Sequence, residues 1–358
     1  MKAMRAAAPA LLKAAASLAA GGFAGSAASG SAGVGLACGL CAALCYARAF
    51  IQGFYVDRYC SLQADLAGRV ALVTGCTVGG LGLEAAGMLA RLGATLVLTA
   101  RSEDKAKAAV QRLRAEGCRG PITYVIVDFL SVGSVRAAAL EVLGQQQRLD
   151  MLVLNAGVGS GESARVWMAN HVGPFLFTSL LAPVLTATAA AHGDVRIVAV
   201  SSGAHKRAAI DFENPWEPRP AQQGASLAGV AYGQSKLAQV MHMRELQRRL
   251  RAQPALGGEA RIKCFAVTPG FAMTNIVAGA VPGVLLPLLW VLSRSPRVGA
   301  QVIQQACLDK DMKGGAYLSN CCEKASEGAG SCSNDPVLWA RLYTLSERCV
   351  EEAHSRFP

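Results

Sequence analysis

From Asp65 onward, short apolar runs alternate with longer stretches of mixed polarity, and this alternation predicts a parallel sheet wrapped by helices. The first run, Arg69–Thr74, leads into Gly75-Cys76-Thr77-Val78-Gly79-Gly80-Leu81-Gly82 and then a helical segment through about Leu92. A second strand, Thr95–Ala100, precedes a helix opening near Ser102, with Glu103 and Asp104 in the first turn, where acids suit the positive helix end. Further strands are expected at Ile122–Val127, Met151–Leu154, Val195–Val200 and Arg261–Val267. They run into Asp128, Asn155-Ala156-Gly157, Ser201-Ser202 and Thr268-Pro269-Gly270, so chemically capable residues collect at the carboxyl ends of strands. Open α/β sheets bind ligands there. The expected fold is α/β: a doubly wound parallel sheet of about seven strands with helices on both faces. An amphipathic helix near Pro336–Val350 closes the chain.

Before Asp57 the pattern is absent. Lys2, Arg5 and Lys13 precede a charge-free run from Ala14 to Ala47, and no acid occurs before Asp57. Residues 1–62 therefore read as a hydrophobic anchor or targeting segment, and 63–358 as a single domain. Three readings of the N-terminus stay open. A signal anchor would span near Ser31–Ala47, flanked by Arg48 and the interfacial aromatics Tyr46, Phe50, Phe54 and Tyr55. A transit peptide to mitochondrion or plastid would also be basic, Ser/Ala-rich and acid-free. A flexible Ala/Gly tail is the third. An anchor of endoplasmic-reticulum type is placed first.

Composition narrows the partners. The net charge of +11 is dispersed, and clusters such as Arg248-Arg249-Leu250-Arg251 close helices, so nucleic-acid binding has no motif behind it. The 12 cysteines show no regular framework, which fits reduced thiols. Cys38-x-x-Cys41 has no nearby histidine and Cys321-Cys322 no metal spacing, so no metal site is expected.

Two motifs carry chemistry. Glycines between a strand and a helix let the backbone approach a pyrophosphate, which the helix N-terminus stabilises. The end of the second strand, Thr99-Ala100-Arg101-Ser102, offers no acid for a ribose hydroxyl, while Arg101 suits a 2′-phosphate. NADP(H) is the expected cofactor. Tyr232-x-x-x-Lys236 places a phenol and an ammonium one helical turn apart, a spacing common on ordinary helices. Beside a dinucleotide site, such an ammonium favours the phenolate and lowers the tyrosine from its usual value of about 10.

Taken together, Thr74-Gly75…Gly80-Leu81-Gly82, Asp128, Asn155-Ala156-Gly157, Asn170, Ser202, Tyr232-x-x-x-Lys236 and Pro269-Gly270…Thr274 resemble the short-chain dehydrogenase/reductase family, a Rossmann-type fold. Asn170-His171-Val172-Gly173-Pro174-Phe175, Arg196-Ile197-Val198 before Ser201-Ser202-Gly203-Ala204-His205, and Gly299-Ala300-Gln301 look most like its retinol dehydrogenase, WW-domain oxidoreductase and protochlorophyllide reductase group. The resemblance covers about residues 66 to 345.

It implies hydride transfer to or from a lipophilic carbonyl or alcohol. Tyr232 would be the acid/base, Lys236 its tuner and a ribose ligand, and Ser202 would polarise the reacting oxygen. Asn170 would hold a water linking Lys236 to solvent. Thr74, Gly75, Gly80, Leu81, Gly82, Asn155, Ala156 and Gly157 would shape the cofactor cleft, Asp128 would touch adenine, and Pro269, Gly270 and Thr274 the nicotinamide end. A homodimer is compatible with the family. A tetrapyrrole reductase and an NADP(H)-binding regulatory module are the alternatives.

One departure stands out: four residues separate Gly75 from Gly80 where the family has three, and Gly79 is placed to absorb the insertion. Two segments should set the substrate. One is the Pro-rich loop 210–229 at the cleft rim; the other is the uncharged stretch 276–292, a lid or a buried helix.

Overall fold

Strand β1 (Val70–Val73) is apolar on both faces and wholly buried, as central parallel strands between helix layers must be. Its side chains alternate: Val70 and Leu72 join one core, Ala71 and Val73 the other. The same division runs through β2 (Thr95–Ala100), β4 (Met151–Leu154), β5 (Val195–Val200) and β6 (Ile262–Thr268). With β3 (Ile122–Ile126), β7 (Tyr317–Ser319) and β8 (Cys322–Glu323) they form one sheet in the order β3-β2-β1-β4-β5-β6-β7-β8. Every neighbouring pair is parallel except β7–β8. The doubly wound sheet expected from the sequence is thus present, with β8 as an added antiparallel edge. The chain steps outward from β1 to β3 and then returns to β4 beside β1. That switch point opens a crevice at the carboxyl ends of β1 and β4.

This computed structural model describes residue 39 and residues 41–47, 59–219, 229–253, 261–272, 286–325 and 329–357. Two units are distinguished. The first comprises Met1–Arg58 with Val281–Arg294. Its described residues include a helical stretch at 41–47 and α6 (Leu286–Leu292), where Trp290 and Leu292 are exposed. The rest of the expected anchor, residues 276–285 of the expected lid and residues 220–228 of the loop lie outside the described residues.

The second unit, Tyr59–Ala280 with Ser295–Pro358, holds the sheet. One face is covered by α1 (Leu81–Arg91), α2 (Glu103–Ala115) and α7 (Pro296–Leu308). The other is covered by α3 (Val132–Gln145), α4 (Ser163–His192) and α5 (Val230–Arg251), with α8 (Pro336–Arg356) laid over them. Helix α4 is 30 residues long with mean hydropathy 1.6, but 67% of its most apolar window is buried inside the protein, so it is a core helix. It carries one π turn, Met168–Val172, ahead of Gly173.

Trp216 lies in the described part of the 210–229 loop. It is buried, donates from Nε1 to Glu352 at 2.6 Å and packs on Phe357 with ring centroids 5.9 Å apart. An indole buries a large apolar area and needs one acceptor, and α8 supplies both. The described part of that loop is thus anchored to α8, and also to α5, where Gln234 accepts from Asp211 N at 2.7 Å and donates to Pro215 O at 2.9 Å.

Candidate active site

The ends of β1 and β4 are stapled together by one threonine. Thr74 Oγ1 accepts from the backbone amides of Asn155 (2.9 Å) and Ala156 (3.0 Å), while Asn155 Nδ2 donates to Thr74 O at 2.8 Å. Gly75 then turns with φ +70, and a Cβ there would stand 2.8 Å from Ala156 Cα. A Cβ on Gly82 would meet Asn155 Nδ2 at 2.5 Å and Gly75 O at 3.0 Å. Only glycines allow α1 to begin so close to the strand ends. Its N-cap residue is Gly80, which has no side chain to cap the helix, so the first-turn amides are left to an anion.

The extra residue is taken up in a turn. Gly80 N donates to Thr77 O at 2.9 Å, and Gly79 supplies the positive φ (+78) that the third turn position needs. Val78, at the tip, is half exposed. The insertion bulges outward and leaves the close approach of Gly75 and Gly82 intact.

Arg101, at the end of β2, is exposed and has no ion-pair partner among the described residues. Asp128, just past β3, accepts from Leu130 N at 3.0 Å, and its own amide donates to Ser134 Oγ at 2.9 Å. The cradle of glycines and the open helix N-terminus together fit the pyrophosphate of a dinucleotide.

The second half of the site is built on α5 and the end of β5. Ser202 ends the strand, caps the 3₁₀ turn Gly203–Arg207 and hydrogen-bonds the phenol of Tyr232. Lys236 lies one turn along, its Nζ 5.5 Å from the Tyr232 ring centroid. The ammonium donates to Val200 O (2.9 Å) and Gln239 Oε1 (3.2 Å). Burial pushes Lys236 down to about 7, because desolvation penalises the charged form. Burial also raises Tyr232 above the usual phenol value, with the Ser202 bond pulling the other way. The ammonium bonds Val200 O and Gln239 Oε1 rather than the phenol oxygen, so it acts on Tyr232 through space across the ring face.

Asn170 sits in the π turn of α4, fully buried. Its Oδ1 accepts from Val158 N at 2.7 Å, and its Nδ2 donates to Val158 O (2.9 Å) and Ser235 Oγ (3.1 Å). Its backbone oxygen accepts from Gln239 Nε2 at 2.7 Å. Asn170 is thereby linked to Lys236 through Gln239, while its Oδ1 keeps a second lone pair. Gly157 lies between: a Cβ there would come 2.9 Å from Asn170 Oδ1 and 3.7 Å from Lys236 Nζ. Pro269 and Gly270 follow β6, with Gly270 at φ +75, and Thr274 lies outside the described residues.

Sequence reasoning missed Ser235 and Gln239. The only signal for Gln239 was its place three residues after Lys236, on the same helix face. Among the described residues, no group of three or more His, Cys, Asp or Glu side chains is placed to hold a metal ion.

The sequence profile of the short chain dehydrogenases matches residues 69–213. Human dehydrogenase/reductase SDR family member 13 is 36% identical over 300 residues, covering 81% of this chain and 75% of that protein. Human retinol dehydrogenase 13 is 30% identical over 310 residues, covering 81% and 87%. Among solved structures, 3-oxoacyl-[acyl-carrier protein] reductase from Brucella melitensis, in complex with NAD, superposes with TM-score 0.54 at 26% identity, over 70% of this chain and 95% of that one. The Pseudomonas aeruginosa RhlG/NADP complex, at 24% identity and TM-score 0.56 over 71% and 95%, shares the fold. With phosphate cradle, strand-end serine and Tyr/Lys pair in one crevice and these relatives alongside, the chain belongs to the short-chain dehydrogenase/reductase family, as an oxidoreductase related to the retinol dehydrogenases.

Proposed function

We propose that this protein is an NADP(H)-dependent oxidoreductase acting on the carbonyl or hydroxyl of a lipophilic molecule, retinoid-, steroid- or lipid-like. The observation that carries the reading is the convergence of the half-buried Ser202 and Tyr232 with the buried Lys236 beside an open phosphate cradle. Bound there, the dinucleotide supplies or takes up the hydride. Tyr232 gives its proton to the substrate oxygen in reduction and removes it in oxidation. Ser202 donates a hydrogen bond to that oxygen as charge develops on it. Lys236 favours the phenolate while charged, and also holds the nicotinamide ribose. Arg101 pairs with the 2′-phosphate, Asp128 meets adenine, and Pro269, Gly270 and Thr274 border the nicotinamide. Attachment to a membrane of the endoplasmic reticulum through residues 14–47 would bring the site to apolar substrates.

The test is a turnover screen of the purified full-length protein with NADPH and NADH against retinoid, steroid and long aliphatic aldehydes. Turnover with at least one is expected. Tyr232→Phe should reduce it by about 10²–10⁴-fold, the usual weight of a general acid, while NADPH binding stays nearly unchanged. Unchanged turnover in Tyr232→Phe would sink the mechanism. Binding of NADPH without turnover on any substrate would favour a regulatory module.

A further inference from the structure

We infer that Gln239 is a positioning residue for the Tyr232/Lys236 pair, its carboxamide fixing the Lys236 ammonium by tying it to the π turn of α4. The inference rests on the acid/base reading given above. Gln239 Oε1 accepts from Lys236 Nζ at 3.2 Å, and Gln239 Nε2 donates to the Asn170 main-chain oxygen at 2.7 Å. Both side chains are buried, Lys236 at 5% and Gln239 at 4% exposure, so neither bond is exchangeable with bulk water.

The amide has one workable orientation. An ammonium only donates and a carbonyl only accepts, so turning the carboxamide over would lose both bonds at once. Val200 O and Gln239 Oε1 take two of the ammonium's three donors among the described residues, which leaves one for the site. Gln239 thus both holds the lysine in place and stabilises its charge, in a setting where burial alone pulls the charge off.

The titratable groups on the surrounding elements include Tyr232, His242, Arg244, Glu245, Arg248, Arg249 and Arg251 on α5 itself and Arg165, His171 and His192 on α4. From beyond them come Arg196 and His205 on and after β5, Lys263 on β6, and Tyr343 and Glu347 on α8. None of them is bonded to the lysine or contributes to its shift. His171 and His242 share with Asn170 and Gln239 the lining of a cavity of about 10 Å³, and both stay neutral near pH 7. Among the described residues Gln239 supplies the side-chain acceptor that offsets desolvation at this site, with the face of the Tyr232 ring beside it.

Lysine-selective ¹³C/¹⁵N NMR on the cofactor-free full-length chain, with Lys236→Arg to identify the signal, reads the midpoint directly. Gln239→Leu should lower the Lys236 midpoint by about one pH unit, since an acceptor that stabilises the charged form is lost. The high-pH limb of kcat should move down by the same amount, with KM for the apolar substrate little changed. Gln239→Met, close in length but without the carboxamide, should lower the midpoint likewise. A purely structural glutamine would instead give a leucine variant with a lower unfolding temperature but an unmoved lysine midpoint and pH limb, and that result overturns the inference. If the leucine variant does not fold, a methionine variant with the wild-type midpoint overturns it equally. The NMR titration needs no turnover, so failure of the enzymatic reading, seen as full activity in Tyr232→Phe, is told apart from failure of this one.

Discussion

Arg101 shows how one side chain can choose a cofactor. It stands exposed where β2 ends, with no carboxylate beside it among the described residues. A guanidinium in that state can take a phosphate in a two-bond fork without first breaking another pair. Hydrogen bonds to charged groups contribute about 1.5–3 kcal/mol, so Arg101→Ala should weaken NADPH by roughly tenfold to a hundredfold. NADH, which lacks the 2′-phosphate, should be nearly unaffected. Fluorescence titration with both dinucleotides checks this, and equal losses would refute the assignment. Gly79 is the companion case: its positive φ keeps an inserted residue from disturbing the start of α1.

At the scale of elements, the seam between α4, α5 and α8 carries a pH dependence. His242 is buried against Phe175 and Tyr343, and His171 bonds Ser346 at 2.7 Å. Burial lowers His242 from 6.5 to about 4, with Arg249 adding to the effect and Glu245 opposing it, and holds His171 well below its ordinary value. The native rings stay neutral where the unfolded chain already binds protons. Stability is therefore fully present above pH 6.5 and is lost as pH falls toward about 4, with His242 alone accounting for about 3 kcal/mol across that interval. Urea unfolding of His242→Gln should show a flatter pH dependence between 6.5 and 4; an unchanged slope would remove the histidine from the account. This seam also marks where sequence reading stopped. Strands β2, β4 and β5 lie where their apolar runs put them, because a strand covered on both faces writes its burial into every residue. The strand-end serine, the Tyr/Lys pair and the glycine cradle could be read for the same reason: each is local. The π turn, the bond from Gln239 to Asn170 and the burial of Trp216 under α8 arise from helices meeting, and no local pattern encodes them. The β7–β8 turn escaped notice because Asn320 and Cys321, at φ 55 and 56, take a conformation for which glycine is the usual marker.

For the whole molecule the open matter is where its apolar surplus goes. Hydrophobic residues make up 52% of the chain and charged residues 16%, and two stretches are long and apolar enough to suggest a bilayer. One of them, α4, is committed to the protein core, where it holds Asn170 and the histidine seam. Using it as a span would expose Asn170 and His171 to hydrocarbon at a cost of several kcal/mol. The other stretch, residues 14–47, has no charge, is preceded by Lys2, Arg5 and Lys13, and is followed by Arg48. Its alanines and glycines give modest insertion drive, but nothing in it opposes insertion. Full-length protein expressed in cells should therefore stay in the membrane pellet after carbonate extraction, and a chain lacking residues 1–58 should be released. Release of the full-length protein would remove the anchor. Retention of the shortened chain would move the membrane contact to the uncharged stretch 276–292, where Trp290 and Leu292 are exposed on α6.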